Sequence, residues 1–246
     1  MQASQNFVSH LIELRNRLIR AVLGMLILFI GLVPFANQLY AWLAQPLLQQ
    51  LPEGGQMIAT AVVTPFFVPI KVALLTAFLL SLPHTLYQVW AFIAPGLYSH
   101  EKRSFAPMVV MSTLLFLSGM AFAYYLVFPV VFGFIAGTAP EGVAVMTDID
   151  QYLDFVMSLF LAFGFAFQVP VAVFLIERLG WVSISQLRES RGYVIVGAFV
   201  AGAILTPPDV ISQFMMAVPL WLLYEAGILA AVIAARYTTR DLSTTG

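Results

Sequence analysis

The chain contains no cysteine. Disulfides, thiolate metal sites and a cysteine nucleophile are therefore excluded. Histidine is scarce, with His10, His84 and His100 scattered along the chain without metal-ligand spacing. Charge is scarce too: 9% of the 246 residues are Asp, Glu, Lys or Arg, against about 25% in ordinary soluble domains. P-loop, HExxH and GxSxG sequences are missing, so no catalytic set, cofactor site or metal site is expected and the chain reads as a non-enzyme. No internal repeat is evident, which weakens a carrier built from two matched halves. No cleavable signal peptide is evident either, because the N-terminus opens on a polar, helix-like segment.

What fills the sequence is apolar. Hydrophobic residues make up 61% and the mean hydropathy is +0.93. In water such a chain would expose far too much apolar surface. The expected fold is an all-α integral membrane protein, 1–246 forming a single membrane domain. Six spans are expected, at about 18–33, 65–89, 107–127, 152–176, 192–205 and 212–233, each measured against the roughly 20 apolar residues a crossing needs. The last two stand out as short; 192–205 offers only about 21 Å of helix at 1.5 Å per residue. Pro69, Pro83, Pro170 and Pro219 fall inside spans, and their bends suggest a bent, concave bundle.

An amphipathic lead-in, Ser9–Arg20, precedes the first span. Leu11, Leu14 and Leu18 share a helical face, Glu13 sits four before Arg17, and Ser9 suits an N-cap. Residues 35–64 and 128–151 read as two long loops without Lys or Arg before the latter's Gln151. The first holds Pro46, and Leu39, Leu43, Leu47 and Leu48 suggest a short interfacial helix within it. Thr206-Pro207-Pro208-Asp209 reads as a turn.

The basic residues set the topology. Arg15, Arg17, Arg20, Lys102, Arg103, Arg178, Arg188, Arg191, Arg236 and Arg240 all fall on one side of a six-span arrangement, and only Lys71 does not. The other side holds Glu53, Glu141, Asp148, Asp150 and Asp209. The positive-inside rule then places both termini in the cytoplasm. Because the basic residues fit this pattern, nucleic-acid binding is not expected.

The stretch Trp90–Arg103 joins aromatics, a Pro95-Gly96 break and the cluster His100-Glu101-Lys102-Arg103. Two readings fit it. One is an ordinary hairpin with an aromatic belt and positive-inside charge. The other is a docking place at the membrane surface for a cationic, partly apolar peptide, with Glu101 as its carboxylate. Lys71, Gln168 and Glu225 are the polar groups inside spans, and such groups are functional candidates because burial in hydrocarbon is costly. Lys71 is expected to snorkel outward. Gln168 reads as an interhelical hydrogen bond or a groove-facing group. Glu225 reads as a neutral acid bonded to a neighbouring helix or as groove-facing. A small-molecule or ion carrier using Gln168 and Glu225 is the alternative function.

A set of ordered motifs then carries a resemblance. HLIELRNRL at His10–Leu18, MIAT at Met57–Thr60, PFFVPIK at Pro65–Lys71, YQVWAFIAPGLY at Tyr87–Tyr98 followed by HEKR, GMAFAY at Gly119–Tyr124, TAPEGV at Thr138–Val143 and LTPPDV at Leu205–Val210 resemble the TatC family. The likeness runs from about residue 9 to 235 in the same order. It implies the six-span core and signal-peptide receptor of the twin-arginine translocase, in the bacterial cytoplasmic membrane, exporting folded proteins with the proton-motive force. It implies Phe92 and Glu101 as central signal-peptide contacts, supported by Glu13, Arg15 and Arg17, and draws attention to loop positions Pro46 and Asp209. It implies TatB and TatA single-span subunits as partners packing on outer helices, several copies in the complex, and twin-arginine signal peptides as ligands in the bilayer. Many family members carry Glu where this chain has Gln168. Gln cannot hold a charge, so an obligatory proton-carrying role is not expected at that position, whereas a polar contact to a partner's helix survives.

Overall fold

A computed structural model describes residues 2–48, 57–93, 105–137, 147–205 and 210–244. The order of elements is α1 (Gln2–Leu32), a 3-10 turn (Val33–Phe35), α2 (Ala36–Leu48), β1 (Met57–Ile58), α3 (Thr64–Ile93), α4 (Phe105–Phe122), a π turn (Ala123–Val127), α5 (Phe128–Gly137), β2 (Thr147–Asp148), α6 (Ile149–Ala166), α7 (Val169–Arg178), α8 (Ile184–Glu189), α9 (Arg191–Leu205) and α10 (Val210–Thr244). Five helical stretches are long and apolar enough to cross a bilayer: Val8–Gln45, Thr64–Phe92, Ala106–Phe134, Ile149–Arg178 and Gln213–Ala234. A sixth, Arg191–Ile204, is apolar but shorter. The chain is a helical, multi-span membrane protein.

Several expectations shift. Helix α1 begins at Gln2, so Ser9 lies inside it rather than at its N-cap. The short interfacial helix expected near Leu39–Leu48 is present as α2. The second long loop does not start at Phe128, because α5 continues the apolar run to Gly137. Pro129 follows directly on the π turn inside one continuous helical stretch, where the hydrogen-bond ladder already departs from the α pattern that a proline would interrupt. Pro69 and Pro83 both lie inside a continuous α3. The fourth span divides at Phe167–Gln168, with Pro170 in the first turn of α7. Of the two spans expected to be short, only α9 is; α10 runs 35 residues and carries a 22-residue apolar stretch. The turn at 206–209, and with it Asp209, lies outside the described residues, as does Glu101.

The chain forms two compact units, Met1–Leu114 with Val145–Met157, and Leu115–Ala144 with Ser158–Gly246. In the first, α1 packs along α3. Gly24 makes this approach possible: a Cβ there would fall 2.9 Å from the His84 ring. Trp90 faces α4 and donates its indole N–H to Ser112 Oγ at 3.0 Å in a buried contact. At the Thr64 end, Val68, Val72 and Leu153 form a small core, covered by Leu39, Tyr40 and Leu43 of α2.

The second unit is aromatic-rich. Phe128 packs with Phe160 at 5.1 Å between ring centres, and Phe122 with Phe163 at 5.4 Å, within the range of favourable ring pairs. Gly119 lies where any Cβ would overlap the Phe163 carbonyl. Around α10, Val173, Leu187, Tyr224 and Ile228 form a second core, and the Tyr224 hydroxyl donates to the Leu187 carbonyl at 2.7 Å.

Candidate functional site

The α1–α3 pair places two helical stripes face to face. On α1, His10, Arg17 and Gly24 recur every seven residues, which in a helix is nearly one face. On α3, His84, Gln88 and Phe92 recur every four and fall within one narrow arc. The ends of the stripes meet. His10 stacks on Phe92 with ring centres 4.3 Å apart and planes 21° from parallel. At the other end His84 lies against Gly24, and its Nε2 is 3.1 Å from the Arg20 carbonyl. Arg17 and Gln88 thus both lie between these two contacts, on the facing stripes of α1 and α3.

Arg17 donates from Nε and Nη2 to one oxygen, Glu13 Oε1, at 2.9 and 2.6 Å. The pair is part-exposed, with side-chain accessibilities of 21% for Arg17 and 35% for Glu13. Such an (i, i+4) pair contributes about 0.3–0.5 kcal/mol. Arg15 Nη2 donates to Asn16 Oδ1 at 3.4 Å. Beside the pair, Ser9, Ile12, Glu13, Asn16, Arg17 and Arg20 line an open depression of about 300 Å³. It is acidic at Glu13, basic at Arg17 and Arg20, and apolar at Ile12, so it suits a ligand carrying both charge and an aliphatic surface.

Gln88 was not singled out by sequence reading. Its residue surface is 6% exposed. Its Oε1 accepts no hydrogen bond, and among the described residues it is the buried side-chain oxygen or nitrogen in that state. An acceptor left so costs about 1–3 kcal/mol. The available signal was a polar residue at the i−4 position from Phe92.

At the other end of α3, a two-residue parallel ladder joins β1 to β2, with Met57 opposite Thr147 and Ile58 opposite Asp148. Asp148 Oδ2 accepts from Thr60 N–H at 2.9 Å and Thr60 Oγ1 at 2.6 Å. Its Oδ1 accepts from the Asp150 and Gln151 N–H groups at 2.8 and 3.2 Å, capping α6. The hydrogen bonds from the Thr60 side chain and then its backbone hold the Asp148 carboxyl at about 2, below the usual aspartate value. Lys71 donates to Asp150 Oδ1 at 2.6 Å and Asp154 Oδ1 at 3.0 Å. Its ammonium sits in a part-exposed position, where one turn of α6 supplies two carboxylates for it. Tyr152 donates to the Leu43 carbonyl at 2.9 Å, tying in α2. Pro46 belongs to α2.

In the second unit, Gln168 sits at the break before α7, where its carbonyl accepts from Ala172 N–H at 2.9 Å. Glu225 is paired rather than bonded to a neutral neighbour: its two oxygens take Arg191 Nε at 2.6 Å and Nη2 at 2.7 Å. A two-pronged guanidinium–carboxylate pair of this kind is strong and directional. It gives Glu225 a fixed partner within the fold.

A multi-span helical membrane protein with a charged, aromatic-edged face at one end of a helix pair is the class these features define. Its relatives give the family. The family model described as "Sec-independent protein translocase protein (TatC)" matches residues 9–219. A protein of that name from Azotobacter chroococcum is 57% identical over 90% of this chain and 87% of its own. The one from Escherichia coli K12 is 54% identical over 93% and 88%. A crystal structure titled as the twin arginine translocase receptor TatC is 40% identical, covers 92% of this chain and 99% of its own, and superposes with a TM-score of 0.80. The chain belongs to the TatC family.

Proposed function

We propose that the chain is the signal-peptide receptor and core subunit of a twin-arginine translocase, exporting folded proteins across the bacterial cytoplasmic membrane at the expense of the proton-motive force. Six spans place both termini in the cytoplasm, α9 serving as the short fifth. The observation that carries the reading is the meeting of Phe92 with the His10–Arg20 face of α1. Glu13 and the loop carboxylate Glu101 take the paired guanidinium groups of the signal peptide, each of which matches a carboxylate through two N–H donors. Phe92 and Ile12 receive its apolar stretch. Arg17 orients Glu13, and Arg15 supports the site from the same helix. TatA and TatB single-span subunits pack on the outer helices, with several copies of each protein in the complex. Pro46 of α2 and Asp209 of the 206–209 segment shape the opposite face, and Gln168 offers a polar contact to a partner's helix.

The test uses the full chain in lipid nanodiscs and a photo-crosslinkable twin-arginine signal peptide. Crosslinking is expected to the wild type, and to be abolished by Glu101→Lys and by Glu13→Lys without loss of membrane abundance. Equal binding of a peptide with both arginines replaced by lysine, or unchanged crosslinking to both variants, overturns the receptor reading.

A further inference from the structure

The Glu13–Arg17 pair and the empty acceptor of Gln88 belong to one arrangement. Both Arg17 donors land on Glu13 Oε1. A guanidinium arriving from a peptide needs both oxygens of a carboxylate for a two-pronged contact. It can take them at Glu13 only if Arg17 leaves. Arg17, still charged, then needs another acceptor, since an unanswered guanidinium at a half-buried position is costly. The His10–Phe92 and Gly24–His84 contacts bracket Arg17 on α1 and Gln88 on α3, so both side chains lie on the same helix–helix seam, and Gln88 Oε1 is buried and unbonded.

We propose that Gln88 is a positioning residue: it is the acceptor onto which Arg17 moves when an incoming peptide guanidinium displaces it from Glu13. This rests on the receptor reading above. In the unliganded chain Arg17 occupies the place of the ligand's guanidinium and leaves Gln88 unanswered. In the bound chain the peptide satisfies Glu13, and Arg17 satisfies Gln88. The exchange favours a guanidinium over an ammonium, because a single-pronged lysine contact can share Glu13 without expelling Arg17.

The experiment measures binding of a fluorescent twin-arginine signal peptide to the full chain in nanodiscs, for wild type, Gln88→Met, Gln88→Glu, Arg17→Ala and the Gln88→Met/Arg17→Ala double variant. Gln88→Met is expected to weaken binding about tenfold, the size of a lost hydrogen bond to a charged group. Gln88→Glu keeps an acceptor and is expected to bind as the wild type does or more tightly. The Gln88→Met penalty is expected to vanish in the Arg17→Ala background, which a purely structural role would not produce. Wild-type affinity in Gln88→Met, or an equal penalty with and without Arg17, overturns the exchange while leaving the receptor reading intact. Failure of the wild type itself to bind overturns both. If Gln88→Met lowers membrane abundance, Gln88→Glu decides alone: a tenfold loss there refutes the exchange.

Discussion

At the Thr64 end of α3, Asp148 accepts from four donors and Lys71 is met by two carboxylates. At the Phe92 end of the same helix, Arg17 crowds one oxygen of Glu13 while Gln88 holds a buried acceptor with no donor. The first end ties α2, α3 and α6 into a closed set of hydrogen bonds. The second keeps its polar groups incompletely matched, which is where a ligand can gain free energy by completing them. One helix thus carries a fully answered polar set at one end and an incompletely matched one at the other.

Substitutions can break that division. The largest stability loss is expected for Asp148→Ala, which strips Thr60 and the first turn of α6 of their acceptor; melting in detergent should fall by roughly 5 °C or more, with signal-peptide affinity unchanged in the molecules that remain folded. Acid should act the same way. The Asp148 carboxyl is held at about 2 in the folded chain, below its ordinary value. Its contribution is therefore complete above about pH 4 and is lost as pH falls toward 2. Melting curves of wild type and Asp148→Asn should converge over that window, and a constant gap would contradict the assignment. On the recognition side, Glu13→Gln is expected to weaken twin-arginine peptide binding about tenfold in equilibrium titrations, from loss of a charge-assisted contact, with no measurable change in melting. Trp90→Phe should cost about 1 kcal/mol through the lost bond to Ser112, read by denaturation in detergent. The smallest effect belongs to Lys71→Met, at most about 1 kcal/mol, because the ion pair is more than a third exposed.

The helices, and the α1 face carrying Glu13 and Arg17, could be read from apolar runs and spacing alone, because each depends on local periodicity. The amphipathic α2 was legible for the same reason, from Leu39, Leu43 and Leu47. The Arg191–Glu225 pair was not, since 34 residues separate its members and no period links them. The β1–β2 ladder is only two residues long on each side, too short for alternation to register. Gln88 escaped notice because a lone glutamine in an apolar run looks the same whether its amide is answered or not; only the neighbouring helix decides that. The true extent of α5 was hidden by Pro129, which reads as a stop although the helix runs on through the preceding π turn.

The ladder has a consequence for how the protein is made. Thr60 and Asp148 lie 88 residues apart, so a ribosome that has delivered the second span is still far from delivering the acid that secures it. Until α6 arrives, Lys71 stands in the nascent chain without Asp150 and Asp154, and α2 lacks its tie to Tyr152. The early helices must wait, inserted but unfastened, and a ribosome stalled before residue 148 would leave them open to quality-control proteases.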